Sequence, residues 1–105
     1  MRGTMELADQ VFEALKPRGV KERLKIRATG GLTVSQVFDR LPSGTRDALT
    51  EHIENPVVAR REALDQVVRA IFVHIDRGDV RRKRTRVKNA ARAGIDAMVD
   101  VYRIC

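Results

Sequence analysis

Between Asn55-Pro56 and Gly78 the chain runs for more than twenty residues with no internal glycine or proline. Asparagine caps a helix N-terminus well, and proline fits the first helical position because its missing N–H would find no partner there. Glycine suits the left-handed residue that closes a helix. Leu64, Val67, Val68, Ile71, Phe72 and Ile75 recur between these signals at helical spacing. The segment therefore predicts one helix over 56–77, about 33 Å long at 1.5 Å per residue. In a chain of 105 residues a rod of that length becomes the central scaffold of a single domain, 1–105.

Shorter helices are predicted around it. Thr4 can cap a first helix to about Lys16, with Leu7, Val11 and Leu15 on one stripe and Phe12 beside it, and Pro17 and Gly19 ending it. Thr33-x-x-Gln36 is a capping box opening a second helix through Leu41, with Pro42 as its stop. Ser43-Gly44-Thr45 turns the chain into a third, through Leu49 and Ile53. At residues 23–28, Leu24, Ile26 and Ala28 alternate with Lys25 and Arg27, which fits a short strand, while Val20 and Leu24 also fit a helical turn. After Gly78, Asp79 is positioned to cap a basic C-terminal helix over 80–103, with Val87, Ala91, Ile95, Met98 and Tyr102 as its apolar line. The expectation is an all-α fold, a compact bundle of about five helices.

Charge is distributed unevenly. The chain has 21 Lys+Arg against 14 Asp+Glu, a net charge of +7. Arg81, Arg82, Lys83, Arg84, Arg86, Lys88 and Arg92 fall within twelve residues that contain no acid, and without them the chain is neutral. Clustered like charges repel and oppose compaction, so the run points to an anionic partner. At the start of a helix these cations would oppose the macrodipole, and a phosphate would relieve them. Lys16 and Arg18 lead into a second basic patch of Lys21, Arg23, Lys25 and Arg27, opposed by Glu22 alone, to which Arg60 and Arg61 can add. Phe12, Phe38 and Phe72 all sit on apolar stripes and read as core, which removes a base-stacking platform. Recognition should then be of phosphate.

Other chemistries find little support. Gly30-Gly31 is not followed by the Gly-Lys-Ser/Thr of a phosphate loop. His52 and His74 are 22 residues apart with no cysteine partner and read as surface or helix-face residues, so no metal, cofactor or catalytic group is expected. No stretch of ~20 apolar residues spans a membrane. The lone Cys105 and the lack of an apolar leader fit a cytoplasmic protein, and the Arg-, Ala- and Val-rich composition fits a bacterial or phage source.

The sequence thus predicts a non-enzymatic nucleic-acid-binding protein, DNA or RNA, acting as a homo-oligomer or as a small helical subunit of a ribonucleoprotein or other nucleoprotein complex. The acidic row Glu6, Asp9, Glu13 offers a side on which copies or partners could pack. Two alternatives stand beside it. One is a bacterial or phage transcription regulator, either a divergent helix-turn-helix with 46–53 as reading helix or a ribbon-helix-helix using 23–28 as its strand. The other is an interaction module that binds an acidic protein.

Overall fold

The computed structural model describes the backbone of residues 6–88 and 96–105 and the side chains of residues 6–85 and 99–105. Five helices come first: α1 (Leu7–Leu15), α2 (Val20–Thr29), α3 (Val34–Asp39), α4 (Ser43–Thr50) and α5 (Pro56–Asp76). Two antiparallel strands, β1 (Val80–Lys88) and β2 (Asp96–Ile104), follow. The fold is mostly helical, but a hairpin stands in place of the expected C-terminal helix over 80–103.

The long helix forms as its end signals dictate. The Asn55 side chain accepts from the Val57 and Val58 amides at 2.9 and 3.3 Å, and Pro56 occupies the first position. At the other end Gly78 has a φ of 83°. Its amide donates to the Ile75 carbonyl at 3.0 Å, and the Asp79 amide donates to that of His74 at 2.9 Å. This bond pair closes a helix through a left-handed residue and turns the chain sharply away. Asp79 consequently caps nothing: its carbonyl accepts from the Cys105 amide at 2.9 Å, at the base of the hairpin.

The buried face of α5 is rotated from the expected stripe. Ala59, Ala63, Val67, Ala70, Ile71 and His74 are buried, Leu64, Val68 and Ile75 lie at its margin, and Phe72 is 38% exposed. Alanines along this line let α1, α3 and α4 approach closely, so packing distance outweighs side-chain size in choosing the face. Val11, Ala14 and Leu15 from α1 and Val37, Phe38 and Leu41 from the α3 segment complete the helical core. His74 is a core residue rather than a surface one. Its Nε2–H donates to the Ala8 carbonyl at 2.7 Å, and its ring lies 4.8 Å from that of Phe12.

Residues 23–28 form part of helix α2, which removes the strand that a ribbon-helix-helix would need. Gly30 ends α2 with a φ of 90°, and Gly31 brings the chain against β2. There Leu32 and Tyr102 exchange backbone hydrogen bonds at 2.8 Å each, adding one strand-like residue to the sheet edge. The Thr33 capping box of α3 is formed in both directions.

The C-terminal segment prefers strands for an electrostatic and a steric reason. A helix over 80–103 would crowd the cations round its first turns, against the dipole. The hairpin register sets Arg84 opposite Asp100 and Lys88 opposite Asp96. Val99, Val101, Tyr102 and Ile104 are β-branched or aromatic and pack well on a pleated surface. Val80, Val101 and Tyr102 are buried at the hairpin base, where β1 lies against α5 and β2 against α1 and α3.

Candidate nucleic-acid interface

Successive strand residues alternate between faces, and cross-strand partners share one. Val80, Arg82 and Arg84 therefore share a face with Asp100, Tyr102 and Ile104, while Arg81, Lys83 and Thr85 share the other with Val99, Val101 and Arg103. On one face Val80, Tyr102 and Ile104 turn toward the core and Arg84 extends beyond them, whereas on the other Val101 is buried between the exposed Arg81–Arg103 pair and Thr85. Arg81, Arg82, Lys83 and Arg84 are all exposed. Arg86 and Lys88 continue β1 opposite Met98 and Asp96. Arg92, and the side chains of Arg86 and Lys88, lie outside the described residues.

The Arg82 guanidinium sits 5.8 Å from the ring centroid of Phe72, a cation–π contact that ties the hairpin to the exposed side of α5. Arg84 is held less tightly, with Nε donating to the Asp100 carboxylate at 3.3 Å while most of its side chain remains in solvent. Its own cross-strand acid thus orients Arg84 without burying it. Tyr102, the partner of Arg82, is a buried phenol whose pKa is raised, first by burial and then by the Asp100 charge.

Arg61, Asp65, Arg69 and Phe72 follow one another on α5 at spacings of four, four and three, so they form one stripe. All four are exposed. The stripe leads from the start of α5 to the Phe72–Arg82 contact and on to Arg84. Arg61 of the secondary patch thereby lies on the same side of α5 as Phe72, about 16 Å along the axis from it, and Arg69 is a member of the stripe that the sequence reading missed. Its only signal was the eight-residue spacing from Arg61, hidden among Glu62, Asp65 and Asp76.

Arg60 has a different role. Its Nη2 donates to the Ser35 hydroxyl at 2.6 Å, lies 3.8 Å from the Asp39 carboxylate, and its guanidinium sits over the Phe38 ring at 5.5 Å. It clamps α3 to α5. Lys21, Arg23, Lys25 and Arg27 are exposed on α2, beside the opposite face of the hairpin. Arg23 and Arg27 border a shallow cleft with Arg103, and Lys25 borders a larger one with Thr85 and Val101. The secondary patch is therefore split between the two sides of the β-ribbon.

Among the described residues no group of three or more His, Cys, Asp or Glu side chains could hold a metal ion, and no helix is long and apolar enough to cross a membrane. The chain matches no protein-family model, no curated protein and no solved structure.

Proposed function

We propose that this protein is a non-enzymatic binder of double-stranded DNA, with α5 lying in the major groove and the basic hairpin resting against the neighbouring phosphate backbone. One observation carries the reading: the Arg82–Phe72 contact joins the Arg61–Arg69 stripe of α5 to the Arg82–Arg84 side of the ribbon. A helix and a cationic β-ribbon thus share one surface. The geometry favours B-form DNA on groove dimensions. Its major groove, about 12 Å wide, admits a helix, whereas that of A-form RNA is too deep and narrow for side chains to read.

Within this reading α5 reads. Arg61, Gln66 and Arg69 can donate to base edges, and Glu62 and Asp65 can accept from cytosine amino groups. The α4 segment makes a poorer reader, because Arg46 is half-buried with its Nε enclosed. Arg82 and Arg84, with Arg86, Lys88 and Arg92, supply phosphate contacts that position the protein without reading sequence, while Arg81 and Lys83 stand on the other face of the ribbon. Either a transcription regulator or a subunit of a nucleoprotein complex can use such a surface, and a preference of ~10³ for one duplex sequence identifies the regulator.

Fluorescence anisotropy with duplex DNA, single-stranded DNA and double-stranded RNA tests the proposal. With about six phosphates neutralised, duplex affinity should fall roughly a thousandfold between 50 and 200 mM salt. The double substitution Arg82→Glu, Arg84→Glu should abolish binding and leave the helical circular dichroism unchanged. Preference for double-stranded RNA, or salt-independent binding, overturns the assignment. Failure to bind any nucleic acid would return the basic surface to an acidic protein partner.

A further inference from the structure

We infer that the cleft between α2, α3 and the hairpin is a binding site for a small amphipathic carboxylate, an apolar body of about eight carbons ending in one acid group. This site does not depend on the DNA reading. The cleft encloses about 410 Å³, within the ~300–1,000 Å³ range of small-molecule sites. Its apolar walls are Leu32 and Val101 on the core side and Ile26 on α2, and Thr29, Gln36 and Thr85 also line it.

The way α2 is attached makes this cleft unlike an ordinary surface dent. None of the ten residues of α2 is buried, and only Ile26 packs against the core. The helix is held at its ends instead. Glu22 accepts from the Arg18 amide at 2.8 Å and pairs with Arg40, whose Nη2 also donates to the Lys16 carbonyl at 3.1 Å. At the far end the chain leaves α2 through Gly30 and Gly31 and is anchored by Leu32, which exchanges two backbone hydrogen bonds with Tyr102 at 2.8 Å each. Between those ties α2 spans the cleft as a lid whose inner side meets open volume. Protein interiors are otherwise packed to crystal-like density, so a lid that meets the core through Ile26 alone, beside open volume, is the form of a site with an occupant.

The rim charges select the ligand. Glu22 is matched by Arg40, and Asp39 is approached by Arg60. Lys25 is exposed at the mouth, and no carboxylate pairs with it among the described residues. An acid group therefore finds a cation there, whereas an amine meets repulsion. With three large apolar side chains, Ile26, Leu32 and Val101, in its lining, the cleft suits a short apolar chain.

Octanoate, octanol and octylamine provide the test, titrated into the uniformly ¹⁵N-labelled full chain. Octanoate should saturate, with the largest amide shifts at Ile26, Leu32 and Val101, and should bind about tenfold more tightly than octylamine. Lys25→Met lies on an exposed position and should bring the acid and the amine within about twofold. Thr85→Trp should fill the cleft and abolish the shifts while the far core, reported by Val11 and Val67, stays unchanged. Equal affinity for acid and amine in the native chain, shifts centred elsewhere, or saturation undiminished by Thr85→Trp each overturns the site. DNA binding by the same samples is a separate readout, so either proposal can fail alone.

Discussion

Gly31 shows how a single missing atom sets the fold. A Cβ placed there would lie 2.5 Å from the Tyr102 carbonyl oxygen and 2.7 Å from its carbonyl carbon. The obstacle is backbone and cannot swing aside, so Gly31→Ala should separate Leu32 from Tyr102 and break two 2.8 Å hydrogen bonds. Overpacking together with those lost bonds should cost about 3 kcal/mol, read as a lower urea midpoint with an unchanged slope. Phe72 acts in the opposite sense, since its partly exposed ring contributes little to the core. Phe72→Ala should lower stability by about 1 kcal/mol and duplex affinity about fivefold, because Arg82 loses its platform. A purely structural ring would move the first measurement and leave the second alone.

At the scale of elements, α2 and the hairpin obey different rules. The hydrophobic face of α2 is unpartnered, with Val20 and Leu24 both well exposed, so electrostatic ties at its start carry much of its attachment. Glu22 is the centre of those ties, and its pKa is lowered, first by the Arg18 amide and then by Arg40. A carboxyl with a depressed folded-state pKa contributes stability above its unfolded value, about 4.3, that is lost as pH falls through the lower folded value. Acidification through that window should therefore release α2 before the core unfolds. The protection of the Arg18 amide against hydrogen exchange, taken relative to its intrinsic rate at each pH, should fall there, and the Glu22→Gln variant should show no such step. The hairpin answers to pleat geometry. Helical spacing in Val87, Ala91, Ile95, Met98 and Tyr102 reads as well as the strand alternation of Val99, Val101 and Arg103 against Met98, Asp100, Tyr102 and Ile104. Periodicity alone does not separate the two. Burial of Val101 and Tyr102, with Tyr102 paired to Leu32 and β2 packed on α1 and α3, does.

For the whole molecule, the hairpin combines a structural base and a charged outer part in one element. Val80, Val101 and Tyr102 belong to the core, so removing residues 80–105 should abolish cooperative unfolding. Joining Thr85 to Val99, which are cross-strand partners, through Asn-Gly should keep that core, because this dipeptide suits a tight hairpin turn. It also deletes Arg86, Lys88 and Arg92. The salt slope of duplex binding should then fall by about 2.7 if all three contact phosphate. Unchanged slope would assign binding to the base of the ribbon alone. The α5 boundaries, the Thr33 capping box, the Gly78 stop and the charge imbalance were all legible in the sequence, because each depends on neighbours within a few residues. The fate of Arg81–Lys88 was not legible in that way. Cations that are unfavourable at a helix start are tolerated on a strand whose partner supplies Asp100 and Asp96, and pairing across that distance is a tertiary event. Long-range packing likewise moved Phe72 from core to surface, buried His74, and brought Arg61, Arg69 and Arg82 onto one side. The sequence by itself determined that the chain carries a concentrated positive charge on a mostly helical scaffold. Only the tertiary structure decided that this charge lies on a β-ribbon beside an exposed helix, because the burial of Val80, Val101 and Tyr102 against distant residues selects strands over helix.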